Sequence, residues 1–162
     1  MQINRACKSL SALPRVRDFR CSPLYASKAI GPGVQPDYIN AVASVETNLP
    51  PFTLLKMLHT IEDQQGRQRH THWGARTLDL DLLLYGDVCI DTDVLQLPHT
   101  FIYERNFVLF PLYDIAKDLV LPNGISLSQQ VASLSRRGLK KLEWQRAFTP
   151  AESRQSYCRA AS

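Results

Sequence analysis

Two aspartates lie two positions apart in the leucine-rich run 78–84 (LDLDLLL). Side chains alternate between the two faces of a strand, so in a strand Asp79 and Asp81 would share one face, about 6–7 Å apart. Like charges on one face repel each other. A magnesium ion between the carboxylates would offset that repulsion, since Mg²⁺ prefers carboxylate, phosphate and water oxygens. The pair therefore indicates a magnesium site, with a solvated acidic strand face as the alternative.

A basic loop precedes the acidic run, because residues 64–76 hold no acidic side chain. Its basic side chains are Arg67, Arg69, His70, His72 and Arg76. The guanidinium fork of arginine matches phosphate oxygens, so three arginines beside two aspartates indicate a site for a polyphosphate and magnesium. Gly66 and Gly74 would let the loop swing as a lid. An ordinary basic surface loop is the alternative.

The composition limits the class of protein. With 162 residues, 44% hydrophobic and 21% charged, the chain has the size and balance of one globular domain. The formal net charge of +4 permits an anionic ligand without demanding nucleic acid. The start of the chain is basic and lacks the apolar stretch of a secretory signal, and no apolar run is long enough for a membrane span. Four cysteines without a Cys-x-x-Cys pattern favour reduced thiols in the cytoplasm over a disulfide scaffold or a zinc site.

The elements that must position these residues follow from the spacing of apolar side chains. Helices are predicted over 3–10, from Pro50-Pro51 to about residue 61, over 107–116 with an interruption at Pro111, and over 126–134. Strands are predicted over 16–24 with an irregularity, 38–47, 77–85 and 88–90. Short strands and hairpins between helices favour an α+β sandwich over a doubly wound parallel sheet. Residues 145–162 lack periodicity and are predicted to be a frayed tail, so we expect a single domain over 1–144.

One stretch of sequence is more specific than these patterns. Residues 72–83 read HWGARTLDLDLL, which is similar to a family signature that usually reads Arg-Trp-Gly-Pro-Arg-Thr-Leu-Asp-Leu-Asp. Further matching segments are QPDYIN at 35–40, IEDQQGR at 61–67, LPH at 97–99, RNFVL at 105–109 and PL at 111–112. In these segments the chain resembles the 6-hydroxymethyl-7,8-dihydropterin pyrophosphokinases of folate biosynthesis. The resemblance runs from about residue 1 to Trp144.

The resemblance implies a reaction and a fold. The family transfers pyrophosphate from ATP to the hydroxymethyl oxygen of the pterin and releases AMP, and its fold is ferredoxin-like, βαββαβ with additions. Family members begin with a strand that ends in Gly-Ser-Asn, whereas this chain begins with MQI, already in the helix that follows. We therefore expect the first strand to be missing. Either the true start lies upstream, or the chain is an impaired paralogue that only binds nucleotide or pterin.

The resemblance also implies a role for each site residue. Two magnesium ions are expected on Asp79 and Asp81, which with Arg69 and Arg76 form the expected catalytic set. Residues expected at ATP are Glu62 and Leu82 near the nucleoside, and Arg67, Arg69, His72, Trp73, Arg76, His99 and Arg105 at the phosphates or in closing the site. Residues expected at the pterin are Tyr38 and Phe107 on the faces of the ring, Trp73 closing over it, and Asn40, Ser27 and Ile30 at its other contacts.

Plainer interpretations stay open beside these roles. Core packing would explain Tyr38 and Phe107, a turn position would explain His99, and a loop anchor would explain Trp73. A small basic nucleic-acid binder is a further class of protein, but no basic run is interleaved with aromatic residues in a recognised motif. We therefore expect a monomeric cytoplasmic enzyme whose partners are ATP and a hydroxymethyl pterin, without nucleic acid or membrane.

Overall fold

Helices alternate with short antiparallel strands along the chain. The computed structural model describes residues 2–28, 37–66 and 78–143. Its helices are α1 (Gln2–Ser11), α2 (Pro51–Gln64), α3 (Asn106–Ile115) and α4 (Leu127–Ala132). Its strands are β1 (Val16–Cys21), β2 (Tyr25–Ser27), β3 (Tyr38–Asn40), β4 (Ala43–Thr47), β5 (Ile90–Asp91), β6 (Gln96–Leu97) and β7 (Leu139–Lys141). Within the described ranges the sheets have the orders β1-β4, β3-β2-β7 and β5-β6, so the α+β class is confirmed.

The first two helices form where apolar spacing predicts them. α1 buries Ala6, Cys7 and Leu10 on one face and packs against α2 and β1. α2 has a proline in its first turn, where the missing N–H removes no helical hydrogen bond. The buried residues of α2 are Leu54, Leu55, Leu58, Ile61 and Glu62. Both predictions are confirmed, and the second helix carries a carboxylate into the interior.

The predicted irregularity in the strand 16–24 lies inside β1. This strand pairs antiparallel with β4, with a register shift between Arg17 and Arg20. Asp18, inside the shift, has a positive φ of 48°, which is outside the range of regular strands. β1 ends at Cys21, before the predicted end at residue 24, and β2, which was not predicted, begins at Tyr25.

The predicted strand 38–47 is two strands, and they belong to different sheets. β3 pairs with β2, whereas β4 pairs with β1. Between β3 and β4 the chain is held by Ser22, a buried residue. The Val42 amide donates to the Ser22 Oγ at 3.0 Å, and the Ser22 amide donates to the Val42 carbonyl at 2.8 Å. Side-chain alternation could not reveal this crossing, because both strands keep the same period of two.

The largest correction concerns the run with the two aspartates. Of the predicted strand 77–85, the described residues 78–85 belong to no strand. Their side chains nevertheless keep a two-faced pattern, with Leu78 and Leu82 buried and Asp79 and Asp81 exposed. A strand needs a neighbour on at least one edge, and no described strand pairs with this run. The secondary-structure prediction is therefore wrong, while the predicted separation of leucine and aspartate faces is confirmed at these positions.

The predicted strand 88–90 is displaced along the chain. The Val88 amide instead closes a turn on the Tyr85 carbonyl at 3.0 Å. β5 begins at Ile90 and pairs with β6. The loop between these strands is held by Thr92, whose Oγ1 donates to the Leu95 carbonyl at 2.9 Å and accepts from the Leu95 amide at 3.1 Å. The strand therefore begins two residues later than predicted, and the bonds of Thr92 stabilise the hairpin loop that follows it.

The part of the chain from α3 onward contains one wrong prediction and one strand that was not predicted. α3 runs through Pro111 without the predicted interruption. Proline removes one helical hydrogen bond, and the buried neighbours of Pro111, among them Phe110 and Leu112, compensate by packing. α4 is confirmed in shorter form, and the Ser126 side chain caps its N-terminus. β7 was not predicted, and it pairs with β2.

The interior contains two apolar clusters. In one cluster Leu83 and Leu84 pack with residues of α3, and in the other Leu78 and Leu82 pack with residues of α1 and α2. The run with the two aspartates therefore contributes to both clusters, which holds its backbone from two sides. None of the helices in the described ranges combines the length and apolarity that a bilayer span requires. The predicted tail 145–162 lies outside the described residues.

Candidate functional site

A cleft of about 530 Å³ opens between α2, the run 78–82 and the β5–β6 hairpin. It is lined by Leu55, His59, Glu62, Asp79, Leu80, Asp81, Leu82, Thr92, Asp93, Val94, Leu95, Gln96, His99 and Thr100. Five of the residues that the sequence singled out meet in this cleft: Glu62, Asp79, Leu82, Asp81 and His99. A volume of this size falls in the range of small-molecule sites.

Asp79 and Asp81 provide exposed charge in the cleft, which Asp93 of the β5–β6 loop also lines. Asp79 and Asp81 are both exposed to solvent and both line the cleft, while Leu78 and Leu82 are buried. A divalent cation with some water ligands would suit two such carboxylates. The described residues contain no group of three or more metal-ligating side chains, so a metal held here would take its remaining ligands from water and from a ligand's phosphate oxygens.

A buried carboxylate lies behind this acidic pair. Glu62 is 0% exposed, and its Oε1 accepts a hydrogen bond from the Leu80 amide at 2.7 Å. Leu80 stands between the two aspartates in sequence, so the bond holds the backbone that carries both of them. A distance of 2.7 Å is at the short end of the range for N–H···O hydrogen bonds in proteins. Glu62 thus lines the cleft and also supports the backbone of the run that carries the two aspartates.

Hydrogen bonds hold both the backbone and the ring of His99. Its amide donates to the Leu83 carbonyl at 2.9 Å, which ties His99 to the run with the aspartates. Its Nδ1 accepts from the Phe101 amide at 3.3 Å, so the neutral imidazole carries its proton on Nε2. The Nε2–H of His99 can therefore donate a hydrogen bond in the cleft, and a phosphate oxygen is a suitable acceptor for it.

The cleft also contains residues that sequence reasoning missed. His59 lies three residues before Glu62 in α2 and lines the same cleft. The helical spacing of three was a signal that could have identified it, because residues three apart share a helix face. The hairpin residues 92–96 and Thr100 offered no such signal, since their place in the cleft depends on how the hairpin folds over α2.

Ser27, Tyr38 and Asn40 form a second group, on the paired strands β2 and β3. Tyr38 lies opposite Ser27 in the ladder, and the Asn40 Nδ2 donates to the Ser27 Oγ at 2.9 Å. The Tyr38 side chain is 55% exposed, so core packing does not explain it. The strand pairing therefore brings three of the predicted pterin residues together, with an aromatic face open to solvent.

Phe107 and Arg105 stand at the start of α3, which packs against β2 and β3. The Arg105 guanidinium lies 4.8 Å from the centre of the Phe101 ring and 5.7 Å from that of the Phe107 ring. These are cation–π distances. Arg105 does not line the cleft. Its guanidinium lies against the two phenylalanine rings instead.

The remaining predicted site residues lie outside the described residues. They are Ile30, Arg67, Arg69, His72, Trp73 and Arg76. Their assigned roles stay predictions.

The fold and the cleft define an α+β protein with an acidic cleft and, on β2 and β3, an open aromatic surface at Tyr38. Residues 1–117 match the family model described as 7,8-dihydro-6-hydroxymethylpterin-pyrophosphokinase. The chain is 45% identical over 141 residues to the 2-amino-4-hydroxy-6-hydroxymethyldihydropteridine pyrophosphokinase of Haemophilus influenzae, which covers 87% of this chain and 88% of that protein. It is also 45% identical over 141 residues to the Pseudomonas aeruginosa protein of the same description, covering 87% of each chain. The chain belongs to this pyrophosphokinase family.

Proposed function

We propose that this protein transfers pyrophosphate from ATP to the hydroxymethyl oxygen of 6-hydroxymethyl-7,8-dihydropterin and releases AMP, as a step of folate biosynthesis. Family membership supports the activity. The observation that carries the proposal for the described residues is the exposed pair Asp79 and Asp81, which lines the cleft above the buried Glu62. Pyrophosphate transfer concentrates negative charge, and a site that neutralises and orients this charge accelerates such chemistry.

On the nucleotide side, Asp79 and Asp81 would hold the magnesium ions, for which we propose two. Bound magnesium supplies charge neutralisation for the ATP phosphates. The Nε2–H of His99 donates to a phosphate oxygen, and Glu62 and Leu82 lie near the nucleoside. Arg67, Arg69 and Arg76 are proposed to contact the phosphates, with His72, Trp73 and Arg105 helping to close the site. None of these residues is assigned as a general base.

On the pterin side, the exposed ring of Tyr38 is proposed to stack on one face of the pterin and Phe107 on the other. Aromatic stacking suits a flat heteroaromatic substrate. The Ser27–Asn40 pair supplies polar groups at the ring's edge, and Ile30 and Trp73 complete the contacts. The hydroxymethyl group would then point towards the acidic cleft, where the phosphate chain lies.

We also propose that the fold is ferredoxin-like, with room for one strand between β4 and the run 78–85. This proposal is supported by the two-faced pattern of a run that pairs with no described strand. Val45 of β4 and Leu82 of the run belong to the same apolar cluster, so a strand between the two would extend a common core. We further propose that the protein is a monomer in the cytoplasm.

The test is an assay for AMP formed from ATP, with and without the pterin alcohol and with and without magnesium. We expect AMP only when both the pterin alcohol and magnesium are present, in equal amounts with the pterin pyrophosphate. Binding of nucleotide and pterin without any AMP would overturn the enzymatic proposal in favour of a paralogue that only binds. AMP formed without the pterin would indicate a different acceptor.

A further inference from the structure

Two cysteines meet between α1 and β1, outside the set of residues that line the cleft. The Sγ atoms of Cys7 and Cys21 are 3.7 Å apart, and both cysteines are free thiols. Neither residue lines the cleft. We infer that Cys7 and Cys21 form a reversible disulfide, which makes this pair a site of oxidative modification that ties α1 to β1.

The two sulfur atoms need only a small movement to bond. A disulfide has a sulfur–sulfur length of about 2.0 Å, so each atom would move by less than about 1 Å. The elements that carry the thiols already pack against each other. Cys7 is in the middle of α1, and Cys21 is the last residue of β1, where the ladder pairs it with Ala43. The chain between them therefore need not refold for the bond to form.

The contact also favours the reactive form of the pair. The pKa of Cys7 lies below its usual range, chiefly because the Cys21 thiol can donate a hydrogen bond to the Cys7 thiolate. The pKa of Cys21 is raised by the same hydrogen bond and by burial. The pair thus loses its first proton more readily than its second, and the thiolate is the species that attacks a disulfide.

Access to solvent differs between the two thiols. Cys7 is buried, at 8% exposed, whereas Cys21 is half-buried. The Cys7 thiolate can accept the proton of Cys21 across their 3.7 Å contact, so the more exposed Cys21 can act as the attacking thiolate towards a small oxidant. The Cys21 thiolate attacks one sulfur of a low-molecular-weight disulfide, forms a mixed disulfide and releases one thiol. The Cys7 thiolate then attacks the Cys21 sulfur, closes the internal disulfide and releases the second thiol. The two protons of the cysteines end on the two released thiols, and the oxidant gains both electrons.

The test uses the full chain with Cys89→Ser and Cys158→Ser, so that only the pair remains. After incubation with oxidised glutathione and alkylation, intact mass should show a loss of two hydrogen atoms and no alkyl group. Peptide mapping should join the Cys7 and Cys21 peptides within one chain, and dithiothreitol should restore both alkylation sites. The oxidised protein should unfold at a midpoint higher by at least about 5 °C, because the bond constrains the unfolded chain.

Single variants provide matched controls. Cys7→Ser should stop at a mixed glutathione adduct on Cys21, and Cys21→Ser should react slowly, because its remaining thiol is buried. Retention of both free thiols after oxidation of the starting protein would overturn the inference, as would a glutathione adduct on Cys21 that persists while Cys7 is present. A link between two chains in place of the internal link would also overturn it. The mapping experiment needs no cysteine substitution within the pair, so a variant that fails to fold does not affect it.

Discussion

The acidic cleft and the aromatic surface are built in different ways. In the cleft, Asp79 and Asp81 are exposed, but their backbone is held by the buried Glu62 and by leucines that enter both apolar clusters. On the aromatic surface, Tyr38 lies on a three-residue strand with its ring 55% exposed. The first region holds charges in place before a ligand arrives, and the second presents a ring face that a flat ligand would cover. Substitutions should therefore act on turnover in the cleft and on binding at the aromatic surface.

The sharpest test of this difference is removal of the acidic charge. Asp79→Asn and Asp81→Asn together should lower kcat by at least about a hundredfold, since metal-borne charge stabilisation contributes several kcal/mol. The KM for the pterin should change little, because neither carboxylate belongs to the aromatic surface. Asp87→Asn is the matched control, since Asp87 is exposed in the turn after this run and does not line the cleft. More than about a tenth of the original kcat in the double variant would contradict the metal assignment.

The support behind the acidic pair can be removed separately. Glu62→Ala leaves the Leu80 amide without its acceptor, which should lower the free energy of unfolding by about 1–3 kcal/mol and reduce kcat as the aspartates lose their fixed backbone. Glu62→Gln keeps an acceptor oxygen and should lose less stability. Denaturant unfolding with parallel assays measures both effects. Equal losses of stability in the two variants would show that the bond to Leu80 does not support the run.

A substitution on the aromatic surface should change the affinity for the pterin. Tyr38→Ala should raise the KM for the pterin by about tenfold, corresponding to about 1.4 kcal/mol of lost stacking, with kcat nearly unchanged. Phe52→Ala is the control, because Phe52 is a similarly exposed aromatic residue on α2 that does not line the cleft. If Tyr38→Ala lowered kcat and left KM unchanged, the division between the two regions would be wrong.

The smallest expected effect is a pH dependence of stability. It involves Tyr25 of β2, the strand that pairs with β3. Burial, and a hydrogen bond of 2.6 Å to the Asp114 carboxylate, raise the pKa of Tyr25 above its usual range. The unfolded chain therefore loses this proton first, so stability falls as the pH rises above about 10, the unfolded value. Tyr25→Phe should show a shallower fall between pH 10 and 11, measured by thermal midpoints. Parallel curves for the two proteins would mean that Tyr25 does not control this dependence.

Local sequence was sufficient to predict several parts of this molecule. The spacing of apolar residues predicted α1 and α2, because a helix buries one stripe of side chains whatever lies opposite. The alternation of Leu78, Asp79, Leu80 and Asp81 predicted which carboxylates would share an exposed face. The residue types there also indicated a cation, because a positive ion offsets the repulsion between paired carboxylates whichever element carries them.

Other features depend on contacts between residues far apart in the chain, and only the tertiary structure decided them. The run 78–85 has the alternation of a strand but no described strand beside it, since pairing is a property of two segments and not of one. Ser22 bonds to Val42 and divides one predicted strand between two sheets. Glu62 bonds to Leu80 only when α2 packs on the run 78–85, and Cys7 contacts Cys21 only when α1 packs on β1. Such bonds have short range in space, and the chain brings their partners together only by folding.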